Sequence, residues 1–146
     1  MGKRRLSSCS KMSIIILVML MTQQLSHAEV LYTNSRWIVN EGGQRVKLSC
    51  VNWVSHLEVM VAEGLSKQPV DTISKSISDM GFNCVRLTWP LFLFTNDSLS
   101  LTVRQSFNNL GLVESVAGLQ ANNPSILDLS LLHAYQAVVA SLEITM

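Results

Sequence analysis

Arg86 is the residue whose chemistry stands out in this sequence. It is the only charge in the run from Phe82 to Trp89, which is dominated by apolar, aromatic and β-branched residues and closed by Pro90. Such a run is expected to be a buried strand, and a proline ends it by removing a ladder donor. A guanidinium inside it is costly unless an acid meets it. Its planar fork and permanent charge suit it to gripping a carboxylate through two parallel hydrogen bonds. Trp53 closes an earlier apolar run and can serve as a stacking platform or as a loop anchor. His56 follows three residues later; no second histidine stands at metal-ligand spacing, so no metal site is expected. Trp89 is expected to pack in the core, His133 to be a partly buried helix residue, and Glu58 and Glu63 to be solvated loop charges. The pair Asn40-Glu41 lies in a glycine-containing turn, where a carboxylate is expected to be solvated rather than catalytic. Asn96-Asp97-Ser98 is an N-glycosylation acceptor sequence, whereas Asn123-Pro124-Ser125 is not, because of its proline.

The elements that must position these residues follow in chain order. Residues 1–28 have the pattern of a secretory signal: Lys3, Arg4 and Arg5, then an apolar run from Ile14 to Met21, then Ser26-His27-Ala28. Eight apolar residues are far short of the roughly 20 that span a membrane. Removing this segment leaves seven basic and ten acidic residues, a net charge of −3. An acidic chain without a basic cluster does not suit a nucleic-acid partner. No membrane partner is expected after signal cleavage, and the protein is expected to be secreted.

Tyr32 to Val39 and Gln44 to Leu48 read as the arms of a β-hairpin about Asn40-Glu41-Gly42-Gly43, with Trp37 as its apolar anchor. The second arm continues to Asn52-Trp53 as the first core strand. Val54 to Pro69 is a connecting loop. A helix begins at Asp71 or Thr72, with Asp71 as its cap, carries Ile73, Ile77 and Met80 on one face, and stops at Gly81. Thr95 to Asn123 reads as a long polar loop. Asn123-Pro124 opens one final helix, with Leu127, Leu131, Ala134, Tyr135, Val138 and Leu142 on its buried face. Cys50 and Cys84 fall in the two predicted strands. Neighbouring parallel strands can bring them within bonding distance, but buried free thiols are the expected state.

The pattern is thus α/β: hairpin, strand, loop, helix, strand, long loop, helix. Two βα units do not make a closed sheet, so the sequence reads as the start of a larger parallel fold.

Cys50-Val51-Asn52-Trp53 and Gly81-Phe82-Asn83-Cys84-Val85-Arg86-Leu87 together resemble the first strand, and the first helix-to-second-strand segment, of glycoside hydrolase family 5. The resemblance is to secreted, plant-type, cellulase-like members and runs from Leu31 to Leu142. It implies a (β/α)8 TIM barrel of which residues 29–142 form the N-terminal portion, a bottom hairpin plus two βα units, with 143–146 divergent. It implies retaining hydrolysis of β-linked polysaccharides such as cellulose or mannan by two glutamates. It places those glutamates on the fourth and seventh strands, so this chain is expected to lack both and to be inactive alone. By the same resemblance Arg86 orients the nucleophile, Trp53 and His56 are candidate substrate contacts (His56 being otherwise a plain loop residue), no cofactor is needed, and the setting is the cell wall; the sequon itself marks Asn96 as the glycosylation site. A non-catalytic secreted fragment that binds carbohydrate or a partner is the alternative.

Overall fold

The computed structural model describes residues 30–55, 61–95 and 97–145. Strands β1 (Tyr32–Asn34) and β2 (Trp37–Val39) form an antiparallel hairpin, with Tyr32 opposite Val39. The two-residue turn between them holds Ser35 at φ 55°, the left-handed conformation that tight hairpins require. The stretch expected to be one hairpin arm is therefore a hairpin by itself. The expected turn at Asn40 also forms: Gly43 N–H donates to Asn40 O at 2.9 Å, and Arg45 bridges back to Val39. Only Val39 of the hairpin strands is buried. Trp37 is 38% exposed, so it does not anchor the hairpin to a core.

Strands β3 (Cys50–Trp53) and β4 (Cys84–Leu87) pair in parallel, with Cys50 opposite Cys84 and Asn52 opposite Arg86. Side chains alternate across a strand, so this register sorts them by face. Val51, Trp53, Val85 and Leu87 pack on the hydrophobic core. Cys50, Asn52, Cys84 and Arg86 share the opposite face. There the two cysteines form a disulfide, which corrects the expectation of free thiols; equal register on adjacent strands sets their Cα atoms 4.3 Å apart.

Helix α1 (Val70–Asp79) links the two strands and ends at Gly81, which takes φ +84° as expected. Ile77 and Ser74 face inward, but Met80 is exposed. Asp71 does not cap the helix. Asn123, 4% exposed, does so from a distant segment: its Oδ1 accepts from Val70 N–H at 2.8 Å. Its Nδ2 donates to Leu65 O and Gln68 O.

Beyond two short 3₁₀ turns (Leu91–Phe94 and Ser98–Ser100), the segment expected to be a loop folds into α2 (Val103–Asn109) and α3 (Val113–Asn122). A capping box starts α2: Thr102 Oγ1 accepts from Gln105 N–H and Gln105 Oε1 from Thr102 N–H. That Thr-x-x-Gln signal, together with Phe107 and Leu119, was present in a stretch whose polar composition hid it. At Gly118, α3 comes so close to the loop before α1 that a Cβ there would collide with Ser66 O.

The expected single final helix is two: α4 (Pro124–Leu127) and α5 (Leu131–Thr145). The break occurs because Leu129 O accepts from Val103 N–H and Leu131 N–H donates to Leu101 O, a bridge incompatible with a continuous helix. Arg104 pairs with Asp128 in the break at 2.6 Å, which holds the Asp128 carboxyl below its ordinary value. The core gathers Trp53, Leu65, Ile77, Leu93, Val103, Phe107, Leu119 and one face of α5. Among the described residues the structure is mixed α/β with two small sheets and no closed barrel.

Candidate functional site

The carboxyl ends of β3 and β4 open into a cleft of about 920 Å³. That is where open parallel α/β sheets place ligands, in the crevice that the loops leaving the strands form. Asn52 and Arg86, side by side in register, form its polar wall; Val54, Thr88, Pro90 and Thr95 continue it. Arg86 is exposed. The sequence predicted a buried charge. The difference arises because the core packs on only one face of β3–β4, and Arg86 projects from the other.

The acid that Arg86 was expected to meet is not in the cleft: no Asp or Glu occurs among the described residues that line it. Among the described residues the ion pairs are Lys75–Asp79 and Arg104–Asp128, neither of which includes Arg86. The lining therefore offers hydrogen-bond donors and one permanent cation. It can hold a carboxylate or the hydroxyls of a sugar, and among the described residues that line it no carboxyl or imidazole group occurs.

The rim is rigidly built. Trp53 is 6% exposed, and its indole N–H donates to Glu63 O at 2.9 Å, which pins the loop after β3. Of its two roles, this geometry serves the loop anchor. Ser55 N–H donates to Thr88 Oγ1 at 2.8 Å, and Thr88 N–H to Trp53 O, so the two strand ends are laced together. Tyr135 of α5 donates its hydroxyl to Ser55 O and stacks, tilted, on Trp89 with ring centroids 4.0 Å apart. Burial pushes the Tyr135 phenol up from its usual 10.0. Trp89 packs on the core, as expected. His133 is exposed, not partly buried, with Nδ1 2.9 Å from Ser130 Oγ.

His56, Glu58 and the glycosylation residue Asn96 lie outside the described residues, as does the segment 1–28. Among the described residues no group of three or more His, Cys, Asp or Glu gathers to hold a metal, and no helix is long and apolar enough to cross a membrane. Asn52 is the site residue that sequence reasoning passed over. It lies two residues beyond Cys50, as Arg86 lies two beyond Cys84, so a parallel pairing of the cysteines already places it beside Arg86.

No family model matches the chain. A glycosyl hydrolase 5 family protein of Chamaecyparis obtusa is 48% identical to it over 128 residues, 86% of this chain. The same alignment covers 23% of that relative, so the chain spans less than a quarter of its length.

Proposed function

We propose, since this chain is homologous to a glycosyl hydrolase 5 family protein, that it builds the opening portion of a sugar-cleaving (β/α)8 barrel. In this reading β3 and β4 are the first two barrel strands and the hairpin β1–β2 closes the bottom. The uncovered face of β3–β4 is then the barrel interior, and the cleft is one sector of the active site. The observation that carries the reading is the Asn52–Arg86 pair, held in register at the carboxyl ends of parallel strands on the face away from the core.

The mechanism assigns Arg86 a positioning role. A guanidinium beside a nucleophilic carboxylate keeps that carboxylate ionised and aims one oxygen at the anomeric carbon. Retaining hydrolysis needs two carboxyl groups about 5–5.5 Å apart, one to attack and one to protonate the leaving oxygen and later activate water. The family supplies these from its fourth and seventh strands. The 146 residues here therefore orient and bind but do not cleave, and the substrate class is a β-linked polysaccharide such as cellulose or mannan. Residues 1–28 direct the chain to the secretory route, and the site of action is the extracellular cell wall.

Reducing-sugar release from β-glucan and mannan tests the assignment. The chain alone is expected to give none. Mixed with a polypeptide holding the remaining strands of the Chamaecyparis relative, it is expected to gain activity. Arg86→Lys should then lower kcat by about 100-fold, the order associated with losing one preorganised charge contact. Clear turnover by the chain alone, abolished by Arg86→Ala, would overturn the claim that it does not cleave by itself.

A further inference from the structure

A second concavity, of about 640 Å³, lies on the hairpin, built from Arg36, Trp37, Ile38, Arg45, Lys47 and Leu48 among its lining. It shares no lining residue with the cleft at the strand ends. Three of the seven basic residues that follow position 28 gather here, which corrects the expectation of a chain without a basic cluster: residues scattered along the sequence meet because the hairpin folds back on itself. Both guanidiniums lie over the Trp37 ring, Arg45 at 3.2 Å and Arg36 at 4.7 Å from its centroid. Neither belongs to an ion pair among the described residues. The indole thus orders two cations without neutralising them, because a ring quadrupole attracts charge but leaves the N–H edges unused. A stacked guanidinium directs its donor fork sideways, the geometry that binds a carboxylate bidentately. With Arg36 and Arg45 over the indole, the ring is not presented for stacking on a neutral sugar.

We infer that this hairpin concavity is a binding site for an acidic polysaccharide, a polymer of uronate residues whose carboxylates meet Arg36, Arg45 and Lys47. The choice of a polysaccharide over other polyanions rests on the glycosidase kinship. The carboxylate chemistry rests on the arginine–tryptophan stack alone. Such a site would hold the protein on charged cell-wall polymers while the cleft faces a neutral one.

Affinity electrophoresis of the full chain through gels containing polygalacturonate tests this. Retardation is expected in that polymer and is expected to vanish in its fully methyl-esterified form, whose carboxyls carry no charge. Arg36→Ala with Arg45→Ala should weaken retention about tenfold or more. Arg36→Lys with Arg45→Lys keeps the charge and should still lose several-fold, because an ammonium lacks the fork. Unchanged circular dichroism in that lysine variant keeps the comparison one of binding. Equal retardation by the esterified polymer, equal binding to duplex DNA or anionic vesicles, or unchanged retention of the alanine variant would overturn the inference. The hydrolysis assay reads Arg86 and the cleft, so failure there leaves this result standing, and failure here leaves the cleft assignment intact.

Discussion

Tyr135 shows how single side chains fix the rim of the cleft. Its hydroxyl donates to Ser55 O, whose own N–H is held by Thr88, so α5 grips the ends of both parallel strands through one phenol. Burial raises its pKa above 10.0, which means the folded chain retains the proton to higher pH than the unfolded chain does. The contribution is whole below the ordinary phenol value and is lost as pH rises through the raised one. Urea midpoints measured between pH 8 and 11 should therefore fall at the alkaline end. Tyr135→Phe should be about 1 kcal/mol less stable at neutral pH, because Ser55 O loses its donor, and should show a flatter alkaline limb. An identical alkaline fall in both proteins would show that Tyr135 does not cause it.

At the scale of elements, Asn123 explains why α1 starts where it does. One buried amide caps α1 and also donates to two carbonyls of the preceding loop, joining segments more than fifty residues apart. Its own helix gains no side-chain cap from it. A second tie lies further along: Ser141 Oγ of α5 donates to Asp71 Oδ1 at 2.8 Å and lies 2.9 Å from Ser74 Oγ, so the residue expected to cap α1 instead fastens it to α5. Asn123→Ala would leave a buried N–H and two carbonyls without partners. It should cost about 2–3 kcal/mol in denaturant unfolding, more than loss of an ordinary exposed cap. A cost below about 1 kcal/mol would mean that water replaces the amide. The spacing Asn-Pro correctly marked a helix start there, but only the packing of the α3–α4 junction on the loop before α1 reveals which amides the Asn side chain serves.

Across the whole molecule, the core lies to one side of β3–β4, where Trp53, Val85 and Leu87 meet the helices, while the other side carries the disulfide, Asn52 and Arg86. Two strands held on one face only are a weak sheet, and parallel sheets are ordinarily covered on both. The Cys50–Cys84 bond closes a loop with a sequence separation of 34 and so restrains the unfolded chain as well as the pairing. Replacing both cysteines with alanine should lower unfolding free energy by about 3–4 kcal/mol on the chain-entropy account. The same loss should appear when the parent is unfolded in reductant. An unchanged midpoint would show that the strands pair without help from the bond. Such a bond also suits the oxidising route that the leading segment is expected to specify.

Residue pattern alone carried the parallel β–α–β order, the glycine that stops α1, and the buried face of the last helix, because those depend on local periodicity and backbone freedom. It also carried the family likeness and picked out Arg86, since a lone cation in an apolar strand is conspicuous without coordinates. Tertiary structure decided the rest. It paired the cysteines, because that depends on strand register. It turned a polar stretch into α2 and α3, because their few apolar residues count only when a core receives them. It left Arg86 exposed beside Asn52, because burial is a property of what covers a face, and no sequence window shows which face the core will choose.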